Sequence, residues 1–277
     1  MLRCTKMNGN GNDFFVVDNM SLEIRSEEFS RLARRLCRRR ESLGADGILV
    51  AEPSQFADFK MRLFNSDGSE GEMCGNGARC IARFAYEKGI APSADMTFET
   101  LGGNVRAVVS GKRAALDLAP VDISGVVKDA YVAAGGGDFQ YVFLTVGVPH
   151  AVIFEKEHSR SFADYAPLGR EIRRRSDLFP EGTNVDFIAL GGRRGTIDVM
   201  TYERGVEDMT LSCGTGSVAS AIAANLLGIA GPRVEVINPG GVNVVTLDFS
   251  ERGKVYPKLE GAAAMLAEIT FLPEALC

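Results

Sequence analysis

Two cysteine–glycine segments carry the residue types in this sequence that are best suited to chemistry. The first is MCGNGARCIARFAYEKGI, from Met73 to Ile90, and the second is SCGTGSVASAIAANLLGI, from Ser212 to Ile229. In each, a cysteine is followed by Gly-x-Gly and a helical run, and it lies fifteen residues before the glycine of a Gly-Ile pair. This repetition predicts two half-molecules, each offering one cysteine at the start of a helix.

The start of a helix favours both a bound anion and a reactive sulfur. Its first turn has N–H groups without intrahelical partners and a partial positive charge, which together bind a carboxylate without a basic side chain. The same field lowers the pKa of a nearby cysteine, so thiolates become accessible near neutral pH. Two such ends facing across a cleft would place a sulfur on each side of an α-carbon. Inversion of that carbon needs one base and one acid on opposite faces.

Composition narrows the class of protein. The chain has 277 residues, 45% of them hydrophobic, which is enough for one large or two ordinary domains. A net charge of -5 argues against nucleic-acid binding. No apolar run has the length of a membrane span and the start lacks a signal-peptide pattern, so no membrane partner is expected. Six cysteines without tight spacing indicate a cytoplasmic protein, and the absence of C-x-x-C together with only two histidines argues against a metal site.

The helical run after Cys213 determines the predicted fold. It is apolar on nearly every side, and a helix of that kind is buried on every side. Strand-like segments follow the helical run of both cysteine segments. We therefore predict an α+β fold with two pseudo-symmetric domains, each a mixed, mostly antiparallel sheet wrapped around a central helix, with the active-site cleft between them.

The repeat also sets the predicted domain boundaries. The segment GNDFFVV, from Gly11, resembles GVPHAVI, from Gly147. We place the N-terminal half at residues 1–119 and the C-terminal half at residues 120–264, with the tail 265–277 completing the sheet of the first half. A helix is predicted from Glu23 to Arg40, and its arginines are interpreted as a solvated face, because no aromatic residues interleave them.

Four motifs in order resemble the diaminopimelate epimerase family: GNDFFVVD, FNSDGSEGEMCGNGARC, EGTNVDF and YERGVEDMTLSCGTG. The resemblance implies a cofactor-independent isomerase that interconverts LL- and meso-diaminopimelate in lysine and peptidoglycan precursor biosynthesis. It implies that Cys74 and Cys213 are the acid–base pair and that His150 lies near them as an auxiliary group. The oligomeric state is left open, with a homodimer among the alternatives.

The resemblance also implies two sets of substrate-binding residues. Backbone groups that would hold the carboxylate at the reacting carbon belong to Gly75, Asn76, Gly214 and Thr215. Side chains that would read the distal end of the substrate belong to Asn12, Asn65, Asn184, Glu203 and Arg204. Without the resemblance, the asparagines are ordinary turn formers and Glu203–Arg204 is a surface ion pair.

One departure keeps other functions open. Many members of the family have asparagine before the Pro-His pair, where this chain has Val148. An alternative is therefore a racemase of another amino acid, such as histidine, with the same two-cysteine chemistry. A non-catalytic amino-acid-binding protein is a third hypothesis, which leaves two matched thiols unexplained. The remaining cysteines, Cys4, Cys37, Cys80 and Cys277, are interpreted as buried apolar residues, or an exposed tail for Cys277, and His158 as part of an exposed loop.

Overall fold

The computed structural model describes residues 1–158 and 160–276, so the prediction for Cys277 lies outside the described residues. The chain divides into two compact units. The first consists of Met1–Asp117 and the segment from Glu260 onward, and the second consists of Leu118–Leu259.

The elements of the first unit are β1 Leu2–Gly9, β2 Asn12–Asp18, α1 Ser26–Leu36, β3 Gly47–Glu52, β4 Phe59–Asn65, β5 Glu70–Gly71, α2 Gly75–Glu87, β6 Asp95–Thr100, β7 Gly103–Ser110 and β8 Arg113–Asp117. The end of the chain adds β19 Ala264–Phe271 and the short helix α5 Pro273–Leu276.

The elements of the second unit are β9 Val121–Asp122, β10 Val127–Ala134, β11 Gly137–Val146, β12 Val148–Phe154, α3 Tyr165–Arg173, β13 Asn184–Leu190, β14 Thr196–Glu203, β15 Asp208–Thr210, α4 Gly214–Leu226, β16 Arg233–Asn238 and β17 Gly241–Asp248. Strand β18, Lys254–Ala262, begins in the second unit and ends in the first.

Strand pairing is the same in the two units. Strands β2 and β3 are parallel, as are β12 and β13, and β4 and β6 are parallel, as are β14 and β16. The pairs β1–β2 and β3–β4 are antiparallel, as are the pairs β11–β12 and β13–β14. In the first unit β1 pairs with β19 from the end of the chain, and in the second β11 pairs with β10, which precedes it. The predicted mixed sheets and pseudo-symmetry are confirmed.

Helix α4 is the centre of the second unit. Its residues from Gly216 to Ala224 are all buried, and the helix contacts β11, β12, β13, β14, β16 and β17. Complete burial of a side chain such as Ile222 contributes about 2 kcal/mol relative to leaving it in water. Helix α2 is enclosed in the same way by β1, β2, β3, β7 and β8. The predicted arrangement, a sheet wrapped around a central helix, is therefore confirmed.

Two local predictions are wrong. Helix α1 runs from Ser26 to Leu36 rather than from Glu23 to Arg40. After it, Gly44, with a φ of +74°, turns the chain back so that its N–H donates to the Leu36 carbonyl. His158 is not an exposed loop residue. It is partly buried, with its ring 5.7 Å from the ring of Tyr165 and its Nδ1 3.6 Å from Glu155.

Two other predictions hold. The arginines of α1 and of the turn after it are exposed, as predicted for a solvated face. Cys4, Cys37 and Cys80 are buried. Among the helices of the described residues, none is long and apolar enough to cross a membrane.

Candidate active site

Each of the two matched cysteines precedes the first residue of a buried helix. Cys74 is the N-cap of α2, with φ −130° and ψ 122°, and Cys213 is the N-cap of α4, with φ −101° and ψ 120°. An N-cap residue usually has an extended backbone, and the first-turn N–H groups that follow it have no acceptors inside the helix. The predicted placement of both sulfurs at helix starts is therefore confirmed.

The surroundings of Cys213 favour its protonated form. The residue is 6% exposed. Burial raises the pKa of the Cys213 thiol well above its ordinary value, and the negative charges of Glu203 and Asp186 raise it further. The Gly216 N–H, 3.3 Å from Sγ, and the Thr215 hydroxyl act in the opposite direction but do not outweigh burial. The expectation that the helix start lowers the pKa is therefore wrong for Cys213.

Glu203 lies at the end of β14, beside Cys213. Burial raises the pKa of its carboxyl group, while hydrogen bonds from Thr210 and Cys213 oppose that shift. Thr210 Oγ1 donates to Glu203 Oε1 at 2.6 Å. Glu203 is therefore part of the Cys213 surroundings, and the reading of Glu203–Arg204 as a surface pair is wrong.

The raised pKa of Glu203 predicts a pH dependence of stability. The folded protein holds this proton more tightly than the unfolded chain, so the contribution of Glu203 to the free energy of unfolding falls as pH rises through the folded-state pKa. We expect Glu203→Gln to remove that fall, so that the variant gains stability relative to the parent as pH rises. Urea unfolding at a series of acidic to neutral pH values measures it. Parallel stability curves for the two proteins would contradict the assignment.

A network of buried polar side chains lies near Cys213. His150 and Asp186 are both fully buried, and His150 Nδ1 lies 2.7 Å from Asp186 Oδ2. The other oxygen of Asp186 accepts a hydrogen bond of 2.7 Å from Thr201. On its far side, His150 Nε2 lies 3.4 Å from Asn184 Nδ2. If Nδ1–H donates to Asp186, Nε2 is the acceptor for the Asn184 amide.

Asn184 links this network to Arg204. Its Oδ1 accepts a 2.7 Å hydrogen bond from the Arg204 backbone N–H, and the Arg204 Nη1 donates to the Glu181 carbonyl at 2.6 Å. Four of the residues proposed from sequence, His150, Asn184, Glu203 and Arg204, thus lie in one connected region with Cys213. Asn184 is buried, so its interpretation as an ordinary turn former is wrong.

Asp186 is the residue of this region that sequence reasoning missed. It is fully buried in β13, a strand that is otherwise almost entirely apolar. A carboxylate inside a buried strand requires a partner, so an acidic residue in the apolar run NVDFIAL was the available signal. The partner, His150, lies on the neighbouring parallel strand β12.

Asp186 also explains the second glycine of the CGTG motif. A Cβ atom at Gly216 would lie 2.4 Å from Asp186 Oδ1 and 3.0 Å from Thr201 Oγ1. At the matching position of the first motif, a Cβ at Gly77 would lie 3.1 Å from the Cδ2 atom of Leu49, at the end of a flexible side chain. The two glycines therefore have different steric demands.

We expect Gly216→Ala to be more costly than Gly77→Ala. The first forces the buried carboxylate to move and should lower the free energy of unfolding by about 1–3 kcal/mol, with a loss of activity. The second requires a shift of one apolar side chain and serves as the matched control. Denaturant midpoints and turnover rates of both variants test this. An equal cost at the two positions would show that Asp186 does not constrain Gly216.

The first unit has a second network of polar side chains at the start of α2. Asn76 Nδ2 donates to Asn12 Oδ1 at 2.5 Å, and Asn12 Nδ2 donates to Asp46 Oδ2 at 2.9 Å. Arg39 then pairs with the other oxygen of Asp46 at 2.7 Å. The structure therefore brings Asn12 and Asn76 together beside Cys74.

Asn65 is exposed at the end of β4 and donates a hydrogen bond to Ser69 rather than to this network. It is the last residue of β4, as Glu203 is the last residue of β14. The duplicated fold therefore offers an amide at this position in one unit and a carboxylate in the other. Val148, the departure noted above, is partly buried at the first position of β12. Within the described residues, no group of three or more His, Cys, Asp or Glu side chains is arranged to hold a metal.

The fold belongs to a class represented by several solved structures. A probable proline racemase from Agrobacterium radiobacter is 16% identical, with a TM-score of 0.72, and the match covers 100% of this chain and 96% of that one. A PhzF-family phenazine biosynthesis protein from Bacillus anthracis is 17% identical, with a TM-score of 0.70 and coverage of 98% and 99%. At these identities the likeness defines the fold alone.

Sequence comparison defines the family within that class. The model of the diaminopimelate epimerase family matches residues 4–121 and 142–258. The diaminopimelate epimerase of Caldanaerobacter subterraneus subsp. tengcongensis is 41% identical over 270 residues, which cover 92% of this chain and 94% of the relative. That of Archaeoglobus fulgidus is 43% identical over 258 residues, with 88% of each chain covered. The chain belongs to the diaminopimelate epimerase family.

Proposed function

We propose that this protein is an isomerase that interconverts LL- and meso-diaminopimelate without a cofactor, with Cys74 and Cys213 as its two acid–base groups. Family membership over nearly the whole chain supports the reaction. The observation that carries the mechanism is the matched placement of the two cysteines, each as the N-cap of a buried central helix that begins Gly-x-Gly. A binding protein needs no pair of matched thiols.

The reaction requires one group to remove the α-hydrogen and another to return a proton from the opposite face. A thiolate performs the first step and a thiol the second, and the roles exchange when the reaction runs backwards. The protonated state of Cys213, favoured by burial and by the neighbouring carboxylates, suits it to be the thiol that returns the proton.

The weak acidity of the α-hydrogen is the main energetic obstacle. In this scheme the substrate carboxylate binds first-turn N–H groups of the two helices, from Gly75 and Asn76 and from Gly214 and Thr215. As the proton leaves, negative charge moves onto the carboxylate oxygens, and fixed N–H dipoles stabilise it. The helix starts thus take the place of an electron-withdrawing cofactor.

The side chains around Cys213 define the proposed substrate contacts of the second unit. Glu203 lies beside the sulfur, so we assign it to the ammonium group at the reacting carbon, whose charge would compensate the burial of its carboxylate. This replaces the sequence interpretation of Glu203 as a distal residue. Arg204, held through Asn184, is assigned to the distal carboxylate. In the first unit, Asn12 and Asn65 are assigned to the distal end.

A substrate panel tests the reaction and its alternatives. Purified, reduced protein without added pyridoxal phosphate is incubated separately with LL-diaminopimelate, L-histidine, L-lysine and L-proline, and stereoisomers are separated by chiral chromatography. We expect conversion of LL-diaminopimelate to the meso form and little conversion of the others. Conversion of histidine alone would instead support the racemase alternative that Val148 keeps open. Binding without conversion would support the non-catalytic alternative.

Cellular location and assembly are also predictions. The cysteine pattern favours the reducing cytoplasm. A homodimer is the assembly to test, and sedimentation equilibrium distinguishes it from a monomer.

A further inference from the structure

Arg79 is a fully buried cation in the second turn of α2. Its side chain is 0% exposed, which is rare for arginine. Nη2 donates to Asn76 Oδ1 at 2.7 Å, Nε lies 3.5 Å from the Ala262 carbonyl, and Nη1 has no hydrogen-bond partner among the described residues. Leaving a buried donor without a partner costs free energy, so the position requires an explanation.

No carboxylate of the described residues neutralises this cation. Among the described residues, Arg79 forms no ion pair with an aspartate or glutamate, whereas Arg83, one turn later, pairs with Glu87 at 3.5 Å. A buried charge is normally paired, because its desolvation is otherwise uncompensated. Burial accordingly lowers the pKa of Arg79, and Cys80 and Cys74 oppose that shift.

Among the described residues, three ionisable groups act electrostatically on Arg79: Arg113, Cys80 and Cys74. Arg113 has the same sign of charge and cannot compensate it. Burial raises the pKa of Cys80 to about 12, so Cys80 is a neutral thiol at physiological pH. Cys74, the N-cap of the same helix, is the remaining group, and it can compensate the guanidinium only as a thiolate.

The duplicated unit shows that the fold does not need a cation here. The residue five positions after Cys213 is Val218, which is fully buried in α4, just as Arg79 lies five positions after Cys74. An apolar residue therefore fills this position in one of the two central helices. Arg79 introduces a charge that packing does not require.

We propose that Arg79 is a positioning residue that holds Cys74 as a thiolate and orients Asn76 at the start of α2, so that the resting protein has its thiolate in the first unit and its thiol in the second. The proposal rests on the two-cysteine function proposed above and adds the direction of the resting state. The charges beside Cys213 have the opposite sign, since Glu203 and Asp186 face that sulfur. The two matched cysteines thus have opposite electrostatic surroundings.

Alkylation tests the proposal without any substrate. The rate at which iodoacetamide modifies Cys74 is followed by peptide mass mapping across a pH series in the parent protein, Arg79→Met and Arg79→Lys. In Arg79→Met we expect the alkylation curve of Cys74 to move to higher pH, with a rate at neutral pH about tenfold lower, because loss of a nearby unit charge shifts the titration of a partly buried thiol by about one pH unit. Arg79→Lys should restore most of the parent curve.

The matched control is Arg83→Met, which removes an arginine from the next turn of the same helix. It should leave the alkylation curve of Cys74 unchanged, because Glu87 already compensates Arg83. The thermal midpoint separates a structural role from an electrostatic one. Loss of a buried cation that has no carboxylate partner should leave the Arg79→Met midpoint unchanged or raised, because Cys74 can then take up a proton. Should Arg79→Met fail to fold, Arg79→Gln takes its place.

The same variants give an activity profile. With diaminopimelate, we expect kcat/KM of Arg79→Met to be low at neutral pH and to recover toward the parent value as pH rises. An unchanged Cys74 alkylation curve in Arg79→Met would overturn the proposal even if diaminopimelate is the substrate. A shifted alkylation curve in a protein that does not convert diaminopimelate would uphold it and count against the proposed substrate instead.

Discussion

Replacing either Cys74 or Cys213 with alanine should abolish epimerisation in both directions. Each thiol serves as the base in one direction and as the acid in the other, so the loss of one leaves no route for the proton in either. General acid–base groups contribute roughly 10²–10⁴-fold to rates, and we expect a fall in kcat of about 10³-fold or more for each variant. Chiral chromatography started separately from LL- and meso-diaminopimelate measures both directions.

Cys80→Ala is the matched control for this prediction. Cys80 is fully buried in α2, the helix that Cys74 caps. Its replacement therefore tests the general effect of losing a sulfur from this helix. We expect a modest loss of stability and a turnover rate close to that of the parent. Substantial turnover in Cys74→Ala or Cys213→Ala would contradict the two-base scheme.

Asp186→Ala should cause the largest loss of stability among substitutions in this region. It removes the partner of the fully buried His150 and the acceptor of Thr201 at once, leaving both without their hydrogen bonds. Removing one member of a buried pair typically costs about 3–5 kcal/mol. Denaturant unfolding of the variant measures the loss, and its slope with denaturant should remain that of the parent.

Asp198→Ala is the control for Asp186→Ala. Asp198 lies in the adjacent strand β14 but is only partly buried, so its loss should change stability by about 0.5 kcal/mol or less. A double-mutant cycle with His150→Ala isolates the pair, and we expect a coupling of roughly 1–3 kcal/mol. Additive effects of the two substitutions would show that His150 and Asp186 do not stabilise one another.

The architecture was predictable because it follows from local patterns. The apolar run after Cys213 required a helix enclosed on all sides, and the strand-like segments after each helix supplied the enclosing sheet. The repeat of Cys-Gly-x-Gly located both helix starts. These features depend on residue type and spacing within short segments, so they can be read without knowledge of tertiary contacts.

The electrostatics of the site were less predictable, because they depend on which side chains are buried together. The helix start alone indicated a lowered pKa for Cys213, but desolvation and the charges of Glu203 and Asp186 act more strongly. Asp186 was overlooked because its partner, His150, is distant in sequence. In the sequence, Arg79 is one arginine of the helical run after Cys74, and its complete burial is a property of the folded unit.

The most direct test of the two-base scheme is a single turnover of LL-diaminopimelate in deuterium oxide, with the protein reduced and no cofactor added. The thiol that returns the proton equilibrates with solvent before the substrate binds. We therefore expect the meso product to carry deuterium at the inverted α-carbon, while LL substrate recovered early in the reaction keeps its hydrogen. A meso product that retains the hydrogen of the substrate would contradict the scheme, since one base would then have removed and returned the same proton.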